Sequence, residues 1–191
     1  MNKKELRQKY KALRKSLSFD EIMNDSLMIA NHCLDLPIWE KTYFHLFLPI
    51  ESQKEINTEF VLQILSGRDK EVVVSKSDFE TTTMTHYLLT ENTKFQNNAY
   101  DIPEPVDGIE VPTSKIEVVF VPLLTYDTKG HRVGYGKGFY DQFLNQCNPE
   151  TIKIGLSYFD PEQLIDDISE NDIALDYCVT PYGVIQFKAS I

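Results

Sequence analysis

The hydrophobic pattern of the chain alternates between short apolar runs and stretches with helical periodicity. The apolar runs cover residues 43–48, 72–74, 118–121 and 152–156, and a helical stretch at 58–65 separates the first two. Strands that are apolar throughout are typical of a sheet covered on both faces, and strand–helix–strand order favours parallel pairing. The pattern therefore predicts a three-layer α/β/α sandwich with a mostly parallel sheet.

Two helices are predicted before the first strand. The first carries apolar residues at helical spacing, namely Leu6, Tyr10, Leu13 and Leu17. Its other faces hold the only concentrated basic group of the chain: Lys3, Lys4, Arg7, Lys11, Arg14 and Lys15. Ser18 and Glu21 form a capping box, in which each side chain satisfies a free backbone N–H, so a second helix should run to about Leu34.

Two later segments are assigned from their residue types. The threonine-rich residues 83–89 predict a further strand. Residues 101–112 contain Pro103, Pro105 and Gly108, which should interrupt regular structure. We therefore expect an irregular connection between this strand and the apolar run at 118–121.

Composition narrows the class of protein. The chain has 191 residues, of which 42% are hydrophobic, so it is long enough for one substantial core. We expect a single domain over residues 1–191. The formal charge of −10 leaves no general basic surface, and phosphate contacts with nucleic acids or anionic membranes require clustered Lys and Arg. We expect neither kind of partner.

The cysteines and the N-terminus bear on the compartment. Cys33, Cys147 and Cys178 are widely spaced and odd in number, which favours neither a disulfide framework nor a zinc knuckle. The N-terminal residues are charged throughout and lack the apolar segment of a signal peptide. We expect a cytoplasmic monomer.

A glycine-rich segment follows the apolar run at 118–121. Gly134, Gly136 and Gly138 permit left-handed backbone and close approach to a ligand, so successive N–H groups can turn toward an anion at a helix start. Arg132 and Lys137 add positive charge, and a helix should begin at about Phe139. The spacing is neither a Walker A loop nor G-x-G-x-x-G, and three glycines are equally typical of a flexible turn.

The residues around these glycines resemble the 5-formyltetrahydrofolate cyclo-ligase family, also called methenyltetrahydrofolate synthetases. After a strand that ends in proline, the motif reads Asp127, Gly130, Arg132, Gly134, Gly136, Lys137, Gly138, Tyr140 and Asp141. Further matches follow in order along the chain: Lys3, Leu6, Arg7 and Leu13; the segment FLPIESQKEINTE; IPEP at 102–105; and ENDIALDYCVTPYGVI, which contains Asp176. The resemblance covers nearly the whole chain.

This resemblance implies an ATP-dependent enzyme that cyclises 5-formyltetrahydrofolate to 5,10-methenyltetrahydrofolate and releases ADP and phosphate. The formyl oxygen is a poor leaving group, so phosphorylating it would let N10 close the ring. Phosphoryl transfer depends mainly on alignment and charge neutralisation, which cations around the γ-phosphate would supply. The implied co-substrate is ATP, the implied ion is Mg²⁺, and the fold of the family is again a three-layer sandwich.

The resemblance also implies a set of ATP-binding residues, with Lys137 and Arg132 as the catalytic cations. The set comprises Lys3, Lys4, Arg7, Arg132, Gly134, Tyr135, Gly136, Lys137, Gly138, Phe139 and Tyr140. It implies Asp141 and Asp176 as the magnesium ligands, since Mg²⁺ prefers carboxylate and phosphate oxygens. The basic helix is equally typical of a solvated face, and each aspartate of a helix cap or a surface acid.

For the folate, the resemblance implies a second, overlapping set of residues. The set comprises Leu48, Glu55, Tyr100, Tyr135, Gly136, Lys137, Gly138 and Phe139. Leu48 would contact the pterin ring, although core packing is its alternative role, and Glu55 could accept hydrogen bonds from the pterin amino groups. Tyr140 could donate a hydrogen bond or only pack.

Three positions depart from the family pattern. Tyr100 stands where relatives often have tryptophan, Phe139 where tyrosine is frequent, and Tyr135 where relatives can have arginine. The last change removes one phosphate contact and leaves Arg132 and Lys137 to compensate. Two other functions stay open: a noncatalytic nucleotide- or folate-binding protein, and a sugar-phosphate isomerase on a related scaffold, which would need no ATP.

Overall fold

A central sheet organises the computed structural model, which describes residues 1–187. In this part of the chain seven strands form the sheet, in the order β11 (Gly183–Gln186), β10 (Tyr177–Thr180), β9 (Ile152–Leu156), β6 (Val118–Pro122), β1 (Tyr43–His45), β2 (Glu71–Asp78) and β3 (Thr83–Leu88). The five inner strands are parallel, whereas β3 and β11 pair antiparallel at the two edges. The predicted mostly parallel sheet is confirmed.

The helices within residues 1–187 are α1 (Lys3–Ser16), α2 (Phe19–Cys33), α3 (Glu59–Gly67) and α4 (Phe139–Gln146). The Ser18–Glu21 capping box at the start of α2 is confirmed, because the Ser18 N–H donates to Glu21 at 2.7 Å and the Glu21 N–H donates to Ser18 Oγ at 3.2 Å. Asn2 and Glu5 form a second capping box before α1. None of these helices is both long and apolar enough to cross a bilayer.

Strand β6 shows why the core has three layers. Its residues Val118 to Val121 are all completely buried, and their side chains alternate between the two faces of the sheet. Val118 and Phe120 pack in the cluster that contains α2 and α3, whereas Val119 and Val121 pack in the cluster that contains Phe143 of α4. The sheet is therefore covered on both faces, and the three-layer prediction is confirmed.

Helix α1 lies outside these layers, on a small ribbon formed by β7 (Thr125–Tyr126) and β8 (Arg132–Val133). Leu6 and Tyr10 are buried there with Val133. The periodicity also placed Leu13 on the apolar face, but Leu13 is exposed and the neighbouring Arg14 is buried instead. Helical spacing fixes which residues share a face, but it does not show how far along the helix the face is covered.

Two segments differ from the sequence-based expectation. Residues Pro103–Pro105 form a short strand, β5, paired antiparallel with β4 (Phe95–Asn97), so the expectation of irregular structure was wrong for these three residues. The φ angle of proline is compatible with extended backbone. Proline lacks an N–H, but in a pair of only two strands each strand is an edge strand, where a missing donor is tolerated. The strand predicted at 43–48 ends earlier, at His45. The Leu46 N–H still donates to the Val73 carbonyl oxygen at 3.0 Å, and Leu46, Phe47, Leu48 and Ile50 line a cavity beyond the strand.

Candidate active site

A cavity of about 600 Å³ opens beyond the carboxyl ends of β1, β2 and β6. Leu46 to Ile50 follow β1, Ser77 lies near the end of β2, and Pro122 ends β6. The remaining walls come from α1, from the glycine-rich loop with the start of α4, and from the segment around Tyr100. Ligands in parallel α/β sheets bind at this edge, because the loops that follow the strands converge there.

The turn between β7 and β8 positions the glycine-rich loop. The buried Asp127 side chain accepts hydrogen bonds from the N–H groups of Lys129 at 2.9 Å and His131 at 3.0 Å, and it pairs with His131 Nδ1 at 3.1 Å. It also accepts from the N–H of Ile165 at 3.2 Å. Asp127 thus holds the turn rigidly, and β8 leads from it directly into the cavity wall.

The three glycines of the loop have different backbone conformations. Gly136 has φ of 91° and Gly138 has φ of 77°, both in the left-handed region that favours glycine. Gly134 does not have a positive φ, so it does not use the left-handed conformation that glycine permits. A Cβ atom on Gly136 would lie 3.0 Å from Cζ of Arg7, so this glycine also permits close contact between the loop and α1. Gly138 directly precedes α4 and leaves its N-terminus open to the cavity.

Arg132 and Asp141 form an ion pair in the cavity wall. Arg132 Nη2 donates to Asp141 Oδ1 at 2.6 Å, and Arg132 Nη1 donates to the carbonyl oxygen of Ile173. The N–H of Ile173 donates to the same Asp141 oxygen at 3.0 Å. Arg132 is 9% exposed, whereas the Asp141 side chain is 32% exposed. The guanidinium is therefore fixed, and the second carboxylate oxygen of Asp141 remains available to a ligand.

One face of α1 supplies further cations. Lys3, Arg7 and Lys11 line the cavity, at intervals of four residues along the helix. Arg7 Nε donates to the carbonyl oxygen of Gly134 at 2.9 Å, which ties the helix to the glycine-rich loop. Lys4, in the predicted ATP-binding set, is exposed and does not line the cavity, because it lies about 100° further around the helix than Lys3.

Asp172 also lines the cavity, although sequence reasoning did not assign it a role. Its carboxylate pairs with Lys3 Nζ and accepts from the N–H of Ser169 at 2.8 Å. Burial alone would raise the pKa of Asp172, but the hydrogen bonds from Lys3 and Ser169 and the charge of Arg132 outweigh it and lower the pKa. Nothing in the sequence distinguishes Asp172 from neighbouring acids, because its partner lies 169 residues away.

Asp176, the second predicted magnesium ligand, is placed elsewhere. It directly precedes β10, and its carboxylate pairs with Lys153 Nζ at 2.9 Å and accepts from the Lys153 N–H at 2.9 Å. It is not among the residues that line the cavity, so the structure does not bring it to Asp141. Within residues 1–187, no group of three or more His, Cys, Asp or Glu side chains could hold a metal ion.

Glu55 lies in the cavity wall at the centre of a buried hydrogen-bond chain. Its Oε1 accepts from the Tyr135 hydroxyl at 2.9 Å and its Oε2 from the Ile50 N–H at 2.8 Å. Arg14 donates to the same tyrosine hydroxyl at 2.8 Å and to the Leu123 carbonyl oxygen at 2.6 Å. Burial raises the pKa of Glu55, and the Ile50 hydrogen bond and the Arg14 charge oppose this shift. Tyr135 therefore positions Glu55, a role that the sequence did not predict.

Aromatic residues form the outer wall. Phe79 lies against Tyr100 with ring centroids 4.3 Å apart and meets Phe139 edge-on at 5.0 Å. The Lys137 ammonium lies over this pair, 4.3 Å from the Tyr100 ring and 5.0 Å from the Phe79 ring. Tyr100 and Phe139 were predicted at this site, whereas Phe79 was not, because a single aromatic residue after a strand is not distinctive.

The floor of the cavity is neutral. It includes the buried His45 and the half-buried Leu48, Ser75 and Tyr140. Burial lowers the pKa of His45 well below its usual value, and the neighbouring His86 adds to the shift. Burial also raises the pKa of Tyr140. The cavity thus has a charged side, built by α1 and the glycine-rich loop, and an uncharged floor.

Comparisons with known proteins agree with this architecture. The sequence profile of the 5-formyltetrahydrofolate cyclo-ligase family matches residues 1–181. A 5-formyltetrahydrofolate cyclo-ligase of Haemophilus influenzae is 28% identical over 82% of this chain and 85% of its own length, and the Mus musculus enzyme is 23% identical over 91% of both. The NMR structure of 5,10-methenyltetrahydrofolate synthetase from Aquifex aeolicus superposes with a TM-score of 0.84 at 26% identity, covering 100% of this chain and 95% of that one.

Proposed function

Because the chain belongs to the 5-formyltetrahydrofolate cyclo-ligase family, we propose that it cyclises 5-formyltetrahydrofolate to 5,10-methenyltetrahydrofolate with conversion of ATP to ADP and phosphate. The observation that carries this proposal is the division of one cavity into a cationic side and a neutral floor. A reaction between a polyphosphate and an uncharged heterocycle requires both environments next to each other, so that the reacting groups meet where the two join.

The cationic side binds the phosphates of ATP. The glycine-rich loop and the N-terminus of α4 line the cavity, and backbone N–H groups of such loops and helix starts favour anions. Arg7 and Arg132 are held in fixed orientations by their hydrogen bonds, so they neutralise phosphate charge without reorganisation. Lys137 is exposed on the aromatic pair and reaches the γ-phosphate by rotating its side chain.

A magnesium ion fits this side if the phosphates supply most of its ligands. Mg²⁺ keeps several waters and is commonly bound by one or two carboxylates together with substrate phosphates. Asp141 is suited to this role, because one of its oxygens is used by Arg132 and Ile173 while the side chain stays 32% exposed. The ion would offset phosphate charge during transfer. Asp176 has no part in this proposal, because it does not line the cavity.

The neutral floor binds the pterin, and its edge holds the formyl group. Each oxygen of Glu55 has one partner within residues 1–187 and a further lone pair for a pterin amino group. Leu48 offers an apolar surface, and Phe79, Tyr100 and Phe139 line the exit that the benzoyl part of a folate would follow. In the reaction the formyl oxygen takes the γ-phosphoryl group and ADP leaves. N10 then bonds to the formyl carbon and loses its proton. The bond between the formyl carbon and the phosphorylated oxygen breaks, and phosphate leaves with its electron pair.

The proposal is tested by mixing the purified protein with 5-formyltetrahydrofolate, ATP and Mg²⁺. Absorbance of methenyltetrahydrofolate and release of ADP are followed together, and controls omit each component in turn. We expect equal amounts of the two products and no product in any omission control. ATP binding without turnover would contradict the proposal and favour a noncatalytic binding protein, and ATP-independent conversion of a sugar phosphate would favour the isomerase alternative.

A further inference from the structure

Three polar side chains, those of the buried His45 and His86 and the half-buried Ser75, form a chain that the proposed reaction does not use. His45 Nε2 lies 2.7 Å from Ser75 Oγ, and the same oxygen lies 2.6 Å from His86 Nδ1. His45 lines the cavity yet is only 1% exposed. Its other ring nitrogen, Nδ1, is buried and has no hydrogen-bond partner within residues 1–187. Such an atom is uncommon in a folded protein and requires an explanation.

The number of protons restricts this chain to two arrangements. The Ser75 hydroxyl has one proton and lies between two ring nitrogens, so it donates to one of them and accepts from the other. If Ser75 donates to His45, then His45 Nδ1 carries a buried N–H without an acceptor. If Ser75 donates to His86, then His45 donates through Nε2 and its Nδ1 is a bare acceptor. Buried N–H groups without partners are the rarer case, so the second arrangement is favoured.

We propose that His45 is a substrate-binding residue: when a folate enters the cavity, the side chains around the His45 ring shift and uncover Nδ1, which accepts a hydrogen bond from an N–H donor of the pterin ring. Ser75 and His86 are the positioning residues that fix its tautomer. This inference rests on the proposed function, because it needs a folate in the cavity. Its chemical basis is that 5-formyltetrahydrofolate presents N–H donors on the pyrimidine part of the pterin and at N8. Glu55 and His45 would then be two acceptors on one cavity surface.

The surroundings of His45 support an acceptor. The ring of Phe143 lies 4.9 Å away, Tyr140 lies at 6.0 Å and His86 at 5.7 Å, all at steep angles. No charged side chain is among these ring contacts, and a hydrogen bond is stronger in such a desolvated place than in water. Burial lowers the pKa values of both histidines, that of His86 to about 4, so both rings are neutral near pH 7.

Two substitutions separate the two nitrogens of His45. In His45→Gln, the longer amide reaches the position of Nε2 and keeps the Ser75 contact, but no acceptor remains at Nδ1. In His45→Asn, the shorter amide can place an oxygen at the position of Nδ1. We expect the Michaelis constant for 5-formyltetrahydrofolate to rise about tenfold in His45→Gln and to change less than about threefold in His45→Asn. The Michaelis constant for ATP should be unchanged in both variants.

A measurement on the unsubstituted protein covers the case in which a variant fails to fold. With ¹⁵N-labelled histidine, the resonance of the unprotonated His45 Nδ1 should shift on addition of 5-formyltetrahydrofolate and not on addition of ATP. An unchanged resonance at saturating folate would overturn the inference. Equal Michaelis constants for 5-formyltetrahydrofolate in His45→Gln and the unsubstituted protein would overturn it as well.

The dissociation constant of 5-formyltetrahydrofolate, measured by calorimetry without ATP, separates this inference from the proposed function. If the protein binds the folate but does not cyclise it, the proposed reaction fails while the comparison of His45→Gln with His45→Asn still decides the role of His45. If turnover occurs and the two variants bind the folate as tightly as the unsubstituted protein, only the inference fails. If the unsubstituted protein binds no folate, both are overturned.

Discussion

The two sides of the cavity are built in opposite ways. On the cationic side, charged groups are paired across the chain, as in Arg132 with Asp141 and Lys3 with Asp172. On the floor, His45 and Ser75 are linked by hydrogen bonds between groups that stay uncharged. The difference shows that one small cavity keeps a high density of positive charge beside a surface suited to a neutral ring. The protein tolerates this arrangement because the buried charge of Arg132 is paired, whereas the unpaired Lys137 is exposed to water.

The largest effect is expected from removing a cation that has no structural role. Lys137 is exposed and has only aromatic contacts within residues 1–187, so Lys137→Ala should leave the melting temperature within about 2 °C. Turnover should fall about 10²–10³-fold, as for loss of one group that stabilises transition-state charge. The matched control is Lys4→Ala, which removes an exposed lysine outside the cavity and should keep turnover within about twofold. Unchanged turnover in Lys137→Ala would remove Lys137 from the mechanism.

A smaller effect, a loss of stability, is expected when low pH protonates the His86 ring next to the cavity floor. The pKa of His86 is about 4 in the folded protein against 6.5 in its ordinary state, so the unfolded chain binds more protons between these values. The stability from the neutral ring is therefore fully present above about pH 6.5 and is lost as pH falls through 4, by about 3 kcal/mol. Urea denaturation at several pH values measures the free energy of unfolding.

The control for this prediction is His86→Asn, whose amide can keep the contact with Ser75 without titrating. Its free energy of unfolding should decrease less than that of the unsubstituted protein between pH 7 and pH 4.5. The raised pKa of Glu55 gives an opposite trend, but it is common to both proteins and cancels in the difference. Parallel curves for the two proteins would show that His86 is not responsible.

The smallest effect is expected from a substitution that disturbs the contact between α1 and the glycine-rich loop on the cationic side. In Gly136→Ala, φ of 91° would be strained and the new Cβ would approach Arg7 Cζ to 3.0 Å, which disturbs the Arg7–Gly134 hydrogen bond. The free energy of unfolding should fall by about 1–2 kcal/mol, and the Michaelis constant for ATP should rise several-fold. Gly134→Ala is the matched control, because nothing lies within 4 Å of its Cβ and its φ is not positive. Equal effects of the two substitutions would contradict the proposed contact.

The elements of the fold were largely predictable because their causes are local. Ser18 and Glu21 cap a helix through neighbouring backbone groups, and β6 is apolar at each position because both faces of one strand are covered. The antiparallel pair of β10 with the edge strand β11 was not predicted. Nor was the short strand Pro103–Pro105, because its pairing depends on residues 95–97 and not on its own composition. The resemblance to the family supplied the residues of the glycine-rich loop together with Glu55 and Tyr100.

The sequence by itself determined the main helices, the buried strands of the sheet and the loop that carries glycines and cations, since these depend on periodicity, capping and residue type. Only the tertiary structure decided which polar groups meet. It buries Arg14 against Tyr135 and Glu55, places Asp172 beside Lys3, and pairs Asp176 with Lys153 outside the cavity. It also aligned His45, Ser75 and His86 across three strands. Residues far apart in the chain leave no local pattern, because their contact depends on how the strands order in the sheet and how each helix is rotated against it.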